Sequence, residues 1–248
     1  MSVITFASSK GGAGKTTSAI ILGTTLAKQN TVTLIDVDPA KRLLKWSKRG
    51  TLSERVKVIA SQGERSIHDE IEDAKSKSDF VILDLEGAAT RLNAFAMGES
   101  DLVIIPMGDE QMDAEGAIET LAELKLQSRS TRRDIPARIL FARTQAAVKS
   151  RLERSLNAQV RRKVGAFSVE LNRRTAFSSL HNLGGTLYDM SESEVTGLIK
   201  AQANAERFAE EVVRDLKRLV KVNEAARVAR MKPLVTKDYH SIWEKDHG

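Results

Sequence analysis

Six short apolar runs punctuate the chain: VITFA (3–7), VTLIDV (32–37), VKVIA (56–60), FVILDL (80–85), LVIIPM (102–107) and ARILFA (137–142). Most are continuous rather than alternating, which predicts strands buried on both faces. Between them, residues 15–29, 40–49, 64–76, 90–98 and 113–128 place apolar side chains at helical spacing. Strand and helix alternate, so the expected fold is α/β: one domain with a mostly parallel twisted sheet, helices on both faces and right-handed crossovers.

The pattern changes after about residue 145. Residues 149–163 (KSRLERSLNAQVRRK) read as a basic amphipathic helix and 173–181 as a short one. Residues 194–230 carry Val195, Leu198, Ile199, Phe208, Val212, Val213, Leu216, Leu219 and Val220 at helical spacing, and Pro233 is expected to stop that helix. There is no repeat or Gly/Ser linker, so the reading is one domain over 1–220, with 221–248 a helical extension and polar tail.

Charge adds a partner to this picture. The net charge of the 248 residues is +6, but residues 129–174 hold thirteen Lys/Arg against three acids, +10, which leaves −4 for the remainder. A basic block on a mildly acidic body predicts a polyanion partner, nucleic acid first. Its candidate contacts are Lys149, Arg151, Arg154, Arg161, Arg162, Lys163, Arg173 and Arg174. With no cysteine, disulfides and thiolate-held metals are excluded. No apolar run approaches the ~18 residues of a membrane span, and MSVITFASSK lacks a secretory pattern. A cytoplasmic, nucleoid-associated protein is expected.

The chemistry lies in SSKGGAGKTT (8–17), between the first strand and the first long helix. Gly11, Gly12 and Gly14 let backbone N–H groups turn inward, and the helix N-terminus adds free N–H groups and a positive dipole end. A phosphate-binding loop is predicted from Lys10, Gly11, Gly12, Ala13, Gly14, Lys15, Thr16 and Thr17. Lys15 would reach the terminal phosphates of ATP, and the Thr16 hydroxyl would face Mg²⁺, a hard cation that prefers oxygen.

One position departs from G-x-x-x-x-G-K-[ST]: Ser9 stands where glycine is usual, and Lys10 follows. This loop resembles the deviant Walker A motif of the ParA/MinD ATPases, closest to partitioning ParA proteins without an N-terminal helix-turn-helix domain. The resemblance continues in TLIDVDPAKRLLKW (33–46), similar to switch I; in SDFVILDLEG (78–87), similar to Walker B and switch II; and in SDLVIIPMGDEQMDAEG (100–116). It implies that Lys10 acts on the nucleotide of a partner subunit, as an arginine finger does. It further implies that Asp38 helps place Mg²⁺ or the attacking water, that Asp84 holds Mg²⁺, and that Gly87 senses the γ-phosphate. Asp36 is expected to hold loop geometry and Trp46 to anchor the core. Arg143, after the sixth strand, is expected to frame the adenine.

The family's task is then expected here: a homodimer closes over ATP, binds nonspecific DNA, and is released when a ParB-like centromere-binding protein stimulates hydrolysis. Two alternatives stay open: a ParA-like ATPase for conjugative DNA transfer or cargo positioning, and a MinD-like membrane-positioning ATPase. The tail KDYHSIWEKDHG is too acidic and broken for a membrane-binding helix, so no membrane is expected.

Overall fold

The computed structural model of the chain describes residues 1–145 and 151–231, without the side chains of 151–154, 156, 163 and 222–231. Lys149 and the tail 232–248 therefore lie outside the described residues. The elements run β1 (Ser2–Phe6), α1 (Lys15–Leu26), β2 (Val32–Asp36), α2 (Arg42–Ser47), β3 (Val56–Ala60), α3 (Ile67–Lys77), β4 (Phe80–Asp84) and α4 (Arg91–Gly98). They continue through β5 (Leu102–Met107), α5 (Gln111–Thr131), β6 (Ala137–Thr144), α6 (Arg151–Lys163), β7 (Leu171–Asn172), α7 (Thr175–Leu183) and α8 (Leu198–Met231).

The strands form a seven-stranded sheet in the order β3-β2-β4-β1-β5-β6-β7. Every described strand pair is parallel. Alternate residues of each strand serve opposite faces. Ile4, Phe6, Leu34, Ile82 and Ile104 pack against α1, α2, α7 and α8. Val3, Ile35, Val81, Val103 and Ile105 pack against α3, α4 and α5. Both faces are covered, which is why the strand sequences are continuously apolar. Trp46 is 1% exposed and donates its indole N–H to the Gly185 carbonyl at 3.1 Å, the core anchor expected of it.

Helix α1 is buried along nearly its whole length. Its polar residues are satisfied locally: the Thr24 and Thr25 hydroxyls donate to the Ile20 and Ile21 carbonyls at 2.7 and 2.6 Å. Its entry depends on Gly14, whose φ of 97° lies in the left-handed region open to glycine.

Two elements differ from the sequence reading. The two-residue strand β7 extends the sheet beyond β6 through Ala142 and Thr144, and so short a strand in the polar stretch VELNRR carries no periodic signal. Helix α8 starts at Leu198 rather than near residue 194, because Gly197 turns the backbone at φ 76°.

Crossovers leave β1 toward β2 and β3 on one side, and the chain returns to β5, β6 and β7 on the other. The strand order thus reverses around β1 and β4, where a crevice forms at the carboxyl ends of the strands. Phe6, Asp36 and Asp84 stand at one level there, because Phe6 and Asp36 are both in register with Asp84.

Candidate nucleotide site

The loop 8–14 leaves β1 at this crevice and returns into α1. Lys15, only 8% exposed, donates from Nζ to the Ser8 carbonyl at 3.2 Å and the Lys10 carbonyl at 3.3 Å. Burial lowers its pKa, and the carboxylates of Asp84 and Asp38 oppose that shift. A buried ammonium resting on two neutral carbonyls has no anion in direct contact, so it is open to one.

Asp84 is the mirror case. It is fully buried at the end of β4, and neither carboxylate oxygen has a hydrogen-bond partner. Burial pushes its pKa up to about 7; Asp36 and Asp38 add to the rise, while the Thr16 hydroxyl and Lys15 oppose it. Thr16 stands near enough to favour the charged form without completing a hydrogen bond.

The two acids of the β2 end divide their work. Asp36 accepts from the backbone N–H groups of Leu44 at 2.8 Å and Asp38 at 3.2 Å, and so ties the following loop to α2. Burial raises its pKa against those two hydrogen bonds. Asp38 accepts from the Ala40 N–H at 2.8 Å and lies 3.8 Å from Arg42.

Ser9, the residue that departs from the glycine pattern, has a structural job. Its N–H donates to Thr120 Oγ1 and its hydroxyl to the Gly116 carbonyl, both at 2.9 Å, which staples the loop to α5. Any Cβ on Gly116 would stand 3.2 Å from both Lys10 Cβ and Ser9 Oγ, so the close approach relies on glycine. Beside this staple, Lys10 Nζ meets Asp113 Oδ1 at 2.6 Å, with both side chains partly exposed. The amine thus rests on the first turn of α5 of its own chain.

Opposite α5, Gly87 abuts the Gly11 N–H and Lys15 Nζ. The loop that carries it is held by Asn93 of α4, whose amide donates to the Glu86 and Ala88 carbonyls.

Two cavities flank the loop. One, about 270 Å³, is lined by Lys10, Gly11, Gly12, Asp109, Asp113 and Arg143 among others. The second, about 210 Å³, lies beside the first turn of α1 against Thr17, Asn172, Phe177 and His181. Arg143 and Arg173 line both. Arg143 has a left-handed backbone (φ 60°) and hydrogen-bonds the Gly12 carbonyl through its guanidinium. Sequence reasoning missed His181: it falls in an unremarkable amphipathic helix, and its neighbour Thr17 lies 164 positions away.

Chains of the expected basic surface diverge. Arg161 turns inward: it donates to the Phe167 carbonyl at 2.6 Å and to Glu170 at 2.9 Å, and lies 4.6 Å from the centre of the Phe141 ring. Its guanidinium is thus already engaged by the fold while its side chain stays about a third exposed. Arg173 stands at the mouth of both cavities rather than with the α6 residues, and Arg174 leans toward Asn204 at 3.4 Å. Arg162 is exposed on α6, its Nε bonded to the carbonyl one turn back. Arg151, Arg154 and Lys163 lie on the same helix, their side chains outside the described residues.

A family model described as VirC1 protein matches residues 1–226. The chain belongs to the VirC1 family. It is 34% identical over 218 residues to a Rhizobium radiobacter protein named ParA, covering 87% of this chain and 98% of that one. To a Rhizobium radiobacter virC1 protein it is 27% identical over 234 residues, covering 91% and 100%. A solved structure described as a plasmid partition protein from Borrelia burgdorferi B31, bound to AMPPNP, superposes with a TM-score of 0.64 at 21% identity, covering 86% of this chain and 99% of that one. This VirC1-family chain therefore has the ParA/MinD-type P-loop fold.

The residues present fit Mg²⁺. Asp84 offers two buried oxygens without a partner, with the Thr16 hydroxyl nearby and Asp38 on the same side. Among the described residues there is no cluster of three or more His, Cys, Asp or Glu that could cage a metal by itself. A magnesium ion here would complete its shell with phosphate and water oxygens, as that ion prefers.

Proposed function

We propose that this VirC1-family chain is an ATPase for DNA segregation, which dimerises on ATP, binds DNA without sequence preference and lets go on hydrolysis. The observation that carries the reading is a buried lysine and a buried, unpartnered carboxylate on either side of a glycine-rich loop, with a second lysine on its outer rim. That pairing suits a triphosphate with a hard cation better than any neutral ligand.

The roles follow from position. The loop N–H groups and Lys15 bind the terminal phosphates, and Arg143 frames the base side. Thr16, Asp84 and Asp38 hold Mg²⁺, which when bound neutralises charge on the transferring phosphate. Asp38 also orients the attacking water. Lys10 leaves Asp113 and reaches the nucleotide of the second subunit, so turnover needs the dimer. Loss of the γ-phosphate frees the Gly87 loop and the 37–41 segment, and the dimer opens.

The α6 residues Arg151, Arg154, Arg162 and Lys163, with Lys149 and Arg174, form the DNA surface, and dimerisation doubles it. About 0.9 of slope in log affinity against log salt attends each phosphate contact. A ParB-like centromere-binding protein stimulates hydrolysis, and the work takes place on the nucleoid in the cytoplasm. No helix among the described residues is long and apolar enough to cross a membrane.

A DNA-binding titration with ADP, ATP and a non-hydrolysable analogue, across a salt series, tests this. Binding that is weak with ADP, strong with the analogue and steeply salt-dependent is expected; equal binding in all three states refutes it. A second reading, an ATPase of the same fold serving conjugative DNA transfer or cargo positioning, is supported on its cargo side by 28% identity over 141 residues to a Gloeobacter kilaueensis protein named maintenance of carboxysome distribution protein A. Capture of a relaxase rather than a small centromere-binding protein would select it.

A further inference from the structure

The smaller cavity holds a contact that the phosphate-loop reading does not use. His181 Nε2 of α7 lies 2.7 Å from Thr17 Oγ1, in the first turn of α1. Both side chains line the same cavity as Gly14, Arg143, Arg173 and Arg174. Lys15 and Thr16 do not line it, so Thr17 faces the nucleoside side of the loop rather than the terminal phosphates.

A hydroxyl has one proton and two lone pairs. If Nε2 accepts, the Thr17 proton is consumed by the imidazole and only lone pairs face the cavity, which repels an anion. If Nε2 carries the proton, Thr17 accepts from His181 and its own O–H is free to donate into the cavity. Three arginines on the wall make an anionic occupant the expected one, and such an occupant selects the second arrangement. The imidazole is well placed for it. Burial, Arg49 and Arg42 hold its pKa below the ordinary histidine value, so the ring is neutral and one nitrogen is free to accept or donate as the tautomer dictates. Arg49, just past α2, also bonds the His181 backbone carbonyl, and Trp46 of α2 bonds Gly185, just past α7, so α7 and its C-terminal turn are tied to the α2 segment. The ring is therefore carried on a braced helix.

We infer that His181 is a positioning residue for nucleotide binding: its Nε2–H fixes the Thr17 hydroxyl so that this hydroxyl donates to the phosphate nearest the sugar of a nucleoside diphosphate or triphosphate. The inference rests on the phosphate-loop reading above. Because that phosphate is shared by both nucleotides, ADP and ATP should depend on His181 alike.

The test uses the full chain with Mg²⁺, titrated with ADP and with AMP-PNP. His181→Leu should weaken both ligands by about five- to tenfold, the share of one charge-assisted hydrogen bond that depends on orientation. Thr17→Val should weaken them at least as much. In the Thr17→Val background, His181→Leu should cost little more, since its only route to the ligand is gone. His181→Gln, whose amide can donate to the same oxygen, should restore most of the affinity. A merely structural role of α7 predicts instead additive losses and no rescue by glutamine. Equal affinities for the parent and His181→Leu overturn the inference and leave the loop assignment standing. If the parent chain binds neither nucleotide, the loop assignment falls and the inference falls with it.

Discussion

Replacing Asp84 by asparagine should stabilise the metal-free protein, and by an amount that depends on pH. The Asp84 carboxyl titrates near 3.8 when unfolded and at about 7 in the fold, where burial and the Asp36 carboxylate disfavour its charge. Between those values the folded state keeps a proton that the unfolded state has released, so stability falls as pH rises through the window and levels off above about 7. Asparagine does not titrate. From about pH 5 to about pH 8 the stability gap between variant and parent should therefore widen by roughly two pKa units, or ~3 kcal/mol, at ~1.4 kcal/mol per unit. For a chain of this size that corresponds to about 6–12 °C in Tm at most, less where water enters the site. Thermal melts by circular dichroism, in a chelator and at the two pH values, read the gap directly. Titrating groups remote from Asp84 are common to both proteins and cancel, while Asp36, Asp38 and Lys15 respond to its charge and modify the gap. A gap that stays constant or narrows with rising pH would refute the claim that an ionised, unpartnered carboxylate is buried at the end of β4. Mg²⁺ with nucleotide should raise the Tm of the parent by more than that of the variant, because the ion completes the shell that Asp84 lacks while the loop still binds phosphate in both.

Lys15→Ala should lower ADP affinity at least about a hundredfold in calorimetry, since the loop loses its buried cation. Lys10→Ala should keep ADP affinity but cut ATP turnover by about a thousandfold or more, the scale of a charge supplied in trans; an unchanged rate removes that role. Arg162→Glu should flatten the salt dependence of DNA binding and leave nucleotide affinity alone, whereas Arg161→Ala should show itself first as lost thermal stability. Phe208→Ala should cost about 3–5 kcal/mol in denaturant melts, because that ring is fully buried and meets Phe167 edge-on at 5.5 Å.

Much of this molecule was legible in one dimension. The long strands announce themselves because burial on both faces removes every polar interruption from Val81 to Leu83 or from Val103 to Ile105. The loop is legible because glycine spacing reports backbone geometry directly, and Gly14 does adopt the left-handed φ that its position implies. What stayed hidden depends on approach between distant segments. Nothing in the local sequence says that Arg161 will find Phe167, Glu170 and Phe141, so one member of the basic run read as a polyanion-binding block is tied down by contacts within the fold. Arg173 is carried to the cavities by the two-residue β7, too short to be predicted, and His181 reaches Thr17 only because α7 packs on α1.

The charges around the loop form an arrangement that is complete in no single place. Lys15 is held by carbonyls alone, Asp84 by nothing, and Lys10 by Asp113 on the outer rim. Each costs the resting protein something: desolvation at Lys15, an unsatisfied carboxylate at Asp84, an ordered lysine at Lys10. A phosphate chain with a divalent cation supplies the anion for Lys15 and the cation for Asp84 at once. It leaves Lys10 still paired within its own chain. On the proposed dimer mechanism Asp113 would set a threshold, because a second subunit would have to offer Lys10 a denser anion than one carboxylate before the pair at 2.6 Å opens. A triphosphate meets that demand better than a diphosphate. Weakening the threshold by Asp113→Asn should then let ADP drive dimerisation that only ATP drives in the parent, which light scattering with each nucleotide would resolve.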